Sequence, residues 1–205
     1  MPENPGLHIE QTLWQQGLKF VGGMDEAGRG AWAGPVMAAL VVLPADPRIG
    51  LTLAGVRDSK RMTALQRARA APAIKAAALA WSVGEASAAE IDELGILPAT
   101  RLAFSRAIQN ANILPDYLLL DYIHWPGLQS PHQVMPKGES LSLSIAAASV
   151  LAKTTRDEAM KRLEGQYPGY GLARHKGYGT RIHAEALGRL GVSGIHRRSF
   201  SIPGR

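Results

Sequence analysis

Apolar and polar positions along this chain follow two rhythms. Short apolar runs bounded by Gly, Pro or Asp predict strands over residues 19–25, 34–43, 81–86 and 117–121, with a weaker one over 132–136. Longer stretches with helical spacing predict helices over 63–80, 97–111, 141–166 and 180–190. Pro72 falls inside the first of these and is a candidate break, although its Ala-rich flanks favour helix on both sides. Strands come first and helices alternate later, which predicts an α/β fold: a mixed central sheet flanked by helices, with a short C-terminal helical segment. No internal repeat, low-complexity tract or linker divides the 205 residues, so the chain reads as one domain over 1–205.

Two of the predicted strands end in acid. Gly23-Met24-Asp25-Glu26-Ala27-Gly28-Arg29-Gly30 sets adjacent carboxylates at the end of an apolar segment and leads into a glycine-arginine-glycine turn. Tyr117-Leu118-Leu119-Leu120-Asp121 repeats the pattern. Open α/β sheets tend to place ligands at such strand ends. Hard divalent cations take oxygen ligands, and glycines let backbone N–H groups approach a phosphate. A third acidic position, Asp157, lies in the long helix beyond Ala146-Ala147-Ala148-Ser149. Small side chains let that helix approach the sheet, and the expectation is that Asp157 reaches the two strand ends. Asp25, Glu26, Asp121 and Asp157 in one cleft would resist joint ionisation unless dications neutralise them, which predicts a two-metal site. The plainer alternatives are a strand-ending turn for Asp25-Glu26 and a solvated helix-surface acid for Asp157 beside Arg156.

Charge and composition narrow the field. Residues 153–205 hold 11 Lys and Arg against 4 Asp and Glu, while residues 1–152 are nearly balanced. A basic segment beside a carboxylate site suits a polyanion, because phosphate contacts supply much of nucleic-acid affinity. The absence of cysteine excludes disulfides, thiolate metal sites and a cysteine nucleophile. The polar start Met1-Pro2-Glu3-Asn4-Pro5 and the lack of a long apolar run predict a soluble, cytoplasmic protein with no membrane association. Gly23-x-x-x-x-Gly28 has Walker A spacing, but Arg29-Gly30 stands where Lys and Ser or Thr are needed. No G-x-G-x-x-G follows the strand, and no G-x-S-x-G elbow surrounds Ser149.

Five segments in order resemble the ribonuclease HII family, the type 2 ribonucleases H of bacteria. They are DEAGRGAWAGP from Asp25, Asp58-Ser59-Lys60, SIAAASVLAKTTRD from Ser144, YPGYGLARHKGYGT from Tyr167 and HRRSF from His196. The resemblance implies an RNase H-like fold and an endonuclease using two Mg²⁺ or Mn²⁺ ions on Asp25, Glu26, Asp121 and Asp157. It implies cleavage on the 5′ side of a ribonucleotide, in RNA–DNA hybrids and at single ribonucleotides within duplex DNA. Gly28, Arg29 and Gly30 are implied to read the 2′-hydroxyl, and Tyr178 to support them and stack on the following sugar. Lys60 is the leading phosphate contact, with Lys153, Arg174, Lys176, Arg197 and Arg198 below it. His175, His183 and His196 could ligate metal on paper, but the oxygen-rich site does not need imidazole, and His175 and His196 are expected to bond locally or touch phosphate. A monomer is expected. Three positions depart from the family pattern: Glu139 where Lys-Gly-Asp is common, Tyr122 after the third carboxylate and Arg57 before Asp58. The competing readings are a hybrid-only ribonuclease H, a junction resolvase and a noncatalytic nucleic-acid-binding module.

Overall fold

A computed structural model describes residues 4–203. Residues 1–3 and 204–205, which include the start of the polar N-terminal stretch and the end of the basic segment, lie outside the described residues. Elements follow in the order α1 (His8–Gln15), β1 (Val21–Ala27), β2 (Val36–Val42), α2 (Ile49–Thr52), α3 (Ala64–Ala77), β3 (Ala80–Ala86), α4 (Ala88–Leu94), α5 (Ile96–Gln109), β4 (Tyr117–Asp121), β5 (His132–Met135), α6 (Leu143–Gln166), α7 (Leu172–His175) and α8 (Arg181–Leu190). The strands form one sheet in the order β3-β2-β1-β4-β5. The first three strands pair antiparallel, whereas β1–β4 and β4–β5 are parallel. All five expected strands form, each within about two residues of its expected bounds. Pro72 does not interrupt α3, which starts on a Thr63/Gln66 capping box.

Alternation along the strands divides the core. Even-numbered Met24, Leu40, Leu118 and Leu120 pack with Ala99, Ala103 and Phe104 of α5. On the other face, Leu119 meets Ile145 at the start of α6 and Ala39 and Val41 meet its alanines. Gly23 shows how closely α6 approaches: a Cβ there would lie 2.2 Å from the Ser144 backbone. Residues 143–152 of α6 are all buried, and their small side chains permit this approach. Ser142 caps the helix by accepting from the Ile145 N–H. A smaller core of Ala33, Met160, Tyr170, Leu172, Leu187 and Ile195 fastens the C-terminal segment to the far half of α6.

Helices α1 and α4, like the single turns α2 and α7, lie outside the expected elements. Helix α4 carries a Ser87/Glu90 capping box, a signal present in the sequence. Helix α1 hides better, because its Glu10 is fully buried where an amphipathic helix should be apolar. That carboxylate accepts from the Ser142 hydroxyl at 2.6 Å and from the Ser144 N–H and hydroxyl at 2.9 and 2.7 Å. The carboxyl group thus lies at the positive end of α6.

Candidate active site

The parallel register sets Met24 opposite Leu120, so Asp25 and Asp121 lie at the same end of neighbouring central strands. Asp25 is buried and accepts from the Glu26 N–H at 2.7 Å. Asp121 accepts from the Gly138 N–H at 2.8 Å, a bond that folds the 3₁₀ turn Gly138–Ser140 back onto the strand end. The turn brings the buried Glu139 against Asp121. Glu26 receives Arg29 Nη1 on Oε1 at 3.1 Å. Its Oε2, like Glu139 Oε2, is buried with no hydrogen-bond partner among the described residues.

Electrostatics sets these acids against one another. Burial and then the Glu26 charge raise Asp25 to about 7, against partial relief from Ser149, its own backbone contact and Lys60. Burial, Asp25 and Glu139 raise Asp121 to about 7. Glu26 is also pushed up, chiefly by burial and then by Asp121, with Arg29 opposing. Lys60 stands beside the cluster: desolvation works against its charge, but Asp25, Asp58, Glu139 and Asp121 outweigh it and hold its pKa up.

Hard, partly unpartnered carboxylate oxygens with raised pKa values fit divalent cations. Among the described residues, no three acid or imidazole groups converge tightly enough to enclose one ion. Mg²⁺ commonly uses one or two carboxylates and completes its shell with water and substrate phosphate, so the arrangement suits it.

Asp157 is not part of this group. Its carboxylate is held by Lys153 Nζ at 2.6 Å and Arg67 Nη2 at 3.4 Å. It faces a separate cavity of about 330 Å³ with Lys75, Lys161 and Lys176. The leading influences on Asp25, Glu26 and Asp121 include one another, Arg29, Lys60 and Glu139, but not Asp157. The structure thus does not bring Asp157 to the two strand ends as expected, and the fourth carboxylate that it places beside them is Glu139. The signal was in the chain: Glu139 is the acid at the altered Lys137-Gly138-Glu139 step.

Glu26, Gly28, Arg29, Gly30, Lys60, Lys153, Tyr178 and Phe200 line one open cleft of about 560 Å³. Gly28 has φ +97°, which a side chain resists. A Cβ at Gly28 would also lie 1.9 Å from Arg156 Nε. Tyr178 is partly exposed, with Arg156 Cζ 5.4 Å and Lys153 Nζ 5.8 Å from its ring centre.

Arg197, expected as a phosphate contact, is instead fully buried and donates to the carbonyls of Gly34 and Arg29 at 3.0 and 2.8 Å. His175 and His196 bond locally, as expected, and His183 joins them in one network. His183 Nδ1 meets the Tyr178 carbonyl at 3.0 Å and so carries a proton, which leaves its Nε2 to accept from His196 Nε2 at 3.1 Å. His196 Nδ1 then accepts from the Ser193 N–H at 3.0 Å, and His175 stacks on His183 at 4.4 Å. All bonds are satisfied with His183 and His196 neutral, and burial lowers both pKa values, His183 to about 4.

A mixed sheet with acids gathered at the ends of its parallel central strands, beside a glycine-rich loop, is the RNase H-like arrangement of metal-dependent nucleases. The comparisons agree. The sequence model for Ribonuclease HII matches residues 22–202. A ribonuclease HII of Dehalococcoides mccartyi is 46% identical over 198 residues, covering 96% of this chain and 93% of that protein. The crystal structure of the ribonuclease H2 from Pyrococcus horikoshii OT3 superposes with a TM-score of 0.72 at 25% identity, covering 89% of this chain and 94% of that one. Bst-RNase HIII in complex with Mn²⁺ shares the fold at a TM-score of 0.71 and 22% identity, over 89% of this chain and 67% of that one. The chain belongs to the ribonuclease HII family. It is a type 2 ribonuclease H, a metal-dependent endoribonuclease acting on nucleic acid. Family membership sets aside the noncatalytic binding module.

Proposed function

We propose that the enzyme hydrolyses the phosphodiester on the 5′ side of a ribonucleotide, both in RNA–DNA hybrids and at single ribonucleotides in duplex DNA, leaving a 3′-hydroxyl and a 5′-phosphate. The observation that carries this reading is the shared cleft: Glu26 of the acidic cluster, Gly28-Arg29-Gly30, Lys60 and Tyr178 line one opening. Asp25, Glu26, Asp121 and Glu139 are the residues that would hold Mg²⁺ or Mn²⁺, two ions in all. Bound there, such ions would supply an activated water and stabilisation for the charge on the departing 3′ oxygen. Bst-RNase HIII, a fold neighbour, is described with Mn²⁺.

The chain's own groups supply the rest. Exposed backbone at Gly30 reads the 2′-hydroxyl, which both donates and accepts hydrogen bonds and separates RNA from DNA. Tyr178 offers a flat face to the next sugar, and the Lys60 ammonium stands ready for a phosphate. In this reading the chain is one catalytic domain. Its basic segment from about 174 to 205 adds affinity through exposed groups such as Arg181.

Cleavage-site mapping tests the proposal, using a DNA duplex with one ribonucleotide, a uniform hybrid and an all-DNA duplex, each with Mg²⁺, Mn²⁺ or EDTA. The reading expects a metal-dependent cut 5′ of the single ribonucleotide, cutting of the hybrid and none of all-DNA. Cutting of the hybrid alone would remove the role given to Gly28-Arg29-Gly30 and Tyr178 and would favour a hybrid-only enzyme.

A further inference from the structure

Two guanidinium groups lie buried beneath the cleft, and their five hydrogen bonds all go to backbone carbonyls. Arg156 donates to Pro35 at 2.9 Å, Lys176 at 2.9 Å and Ala33 at 3.1 Å. Arg197 donates to Arg29 at 2.8 Å and Gly34 at 3.0 Å. Both side chains are fully buried, and neither forms an ion pair with a carboxylate among the described residues. Burying two cations side by side is costly, and an apolar pair could fill the same space. Their bonds converge on the loop 28–35 and on the turn before Tyr178. The Arg156 guanidinium lies directly under Gly28, where a Cβ would collide with it, and 5.4 Å from the Tyr178 ring centre.

The Arg197 contact has a directional result. A trans peptide holds its C=O and N–H on opposite sides. With the Arg29 carbonyl drawn inward to Arg197, the N–H of Gly30 in the same peptide points outward. Gly30 is exposed, and its N–H donates to no group among the described residues.

We infer that Arg197 and Arg156 are positioning residues for ribonucleotide selectivity: Arg197 orients the Arg29–Gly30 peptide and Arg156 fixes its spacing from Tyr178. This inference rests on the reading of Gly28-Arg29-Gly30 proposed above. Lysine keeps the charge but not the planar fork of donors, so Arg197→Lys leaves at most a loose hold on one of the two carbonyls. Freed by even a small displacement, the peptide loses its orientation, and misplacements of this kind cost up to about 100-fold in rate.

The test compares cleavage of duplexes carrying a ribonucleotide or a 2′-fluoro nucleotide at the same position, for wild type and Arg197→Lys, with Mn²⁺ affinity from calorimetry and the thermal midpoint alongside. The expected result is a ribo-to-fluoro rate ratio lowered about tenfold or more, with Mn²⁺ affinity kept. An unchanged ratio in folded Arg197→Lys overturns the inference. No ribo preference in the wild type would instead overturn the proposed function. Should Arg197→Lys fail to fold, Arg156→Lys is read in the same way, and hydrogen exchange on the wild type decides independently. Trp32 and Gly34 amides, which bond to Gly177 and Ile195, should exchange as slowly as those of β1. Exchange at the rate of a free loop overturns the inference.

Discussion

Two buried charged clusters of opposite sign border the Gly28-Arg29-Gly30 turn, and they are built in opposite ways. The acids at the ends of β1 and β4 repel one another, keep unpartnered oxygens and have raised pKa values. The arginines under the loop 28–35 have nearly every donor directed at a carbonyl; only Arg197 Nη2 lacks a partner among the described residues. The first cluster keeps acceptors with no donor, and the second gives all but one of its donors to the backbone. Burial of charge alone therefore does not mark a reactive site; what sets the acids apart is like charge, unpartnered oxygens and raised pKa values in one cluster.

The sharpest way to separate the clusters is to remove one charge from each. Asp121→Asn should cut turnover by about a thousandfold, on the order of 4 kcal/mol of transition-state stabilisation, measured on a single-ribonucleotide duplex in Mg²⁺. The same variant should raise the thermal midpoint of the metal-free protein, because a repelling charge is gone. Arg156→Ala should do the reverse to stability. Three carbonyls lose their donor, and urea unfolding should report a loss of about 3 kcal/mol or more. Equal destabilisation by both variants would erase the distinction.

Titration gives a gentler contrast. Asp25 and Asp121 rise from the ordinary 3.8 to about 7 in the fold, so their protonated forms favour folding. Their contribution is full below the unfolded value and is lost as pH rises through about 7. The metal-free protein should thus lose thermal stability across that window, and saturating Mg²⁺ should flatten the loss. His183 runs the other way. Its pKa falls from 6.5 to about 4, so its contribution is present above 6.5 and is lost as pH falls through about 4. Thermal midpoints measured from pH 4 to 9 with and without Mg²⁺ would resolve both limbs. A metal-free protein equally stable at pH 5 and pH 8 would contradict the acidic half.

Much of this was readable from the residues alone, for physical reasons. The run Tyr117–Asp121 is continuous, apolar and ended by acid, and it forms the expected strand. Asp25, Glu26 and Asp121 come together because parallel pairing carries neighbouring strand ends to one edge. Glu139 escaped because its place depends on a turn folding back through the Gly138 bond to Asp121, a contact with no periodic signal. Asp157 misled for a reason of helix geometry. One residue along α6 is a rotation of about 100°, so when Arg156 turns into the core its neighbour turns away. Arg197 misled by type, since a basic residue in a basic segment reads as a surface contact until its burial is seen.

The most direct test of the assignment compares Glu139→Gln with Asp157→Asn in the cleavage rate of a single-ribonucleotide duplex across a Mn²⁺ titration. The account predicts a large loss of rate and weaker Mn²⁺ dependence for Glu139→Gln, and a rate within a few-fold of wild type for Asp157→Asn, which faces the separate cavity with Lys75, Lys161 and Lys176. Collapse of activity in Asp157→Asn with Glu139→Gln near wild type would contradict it.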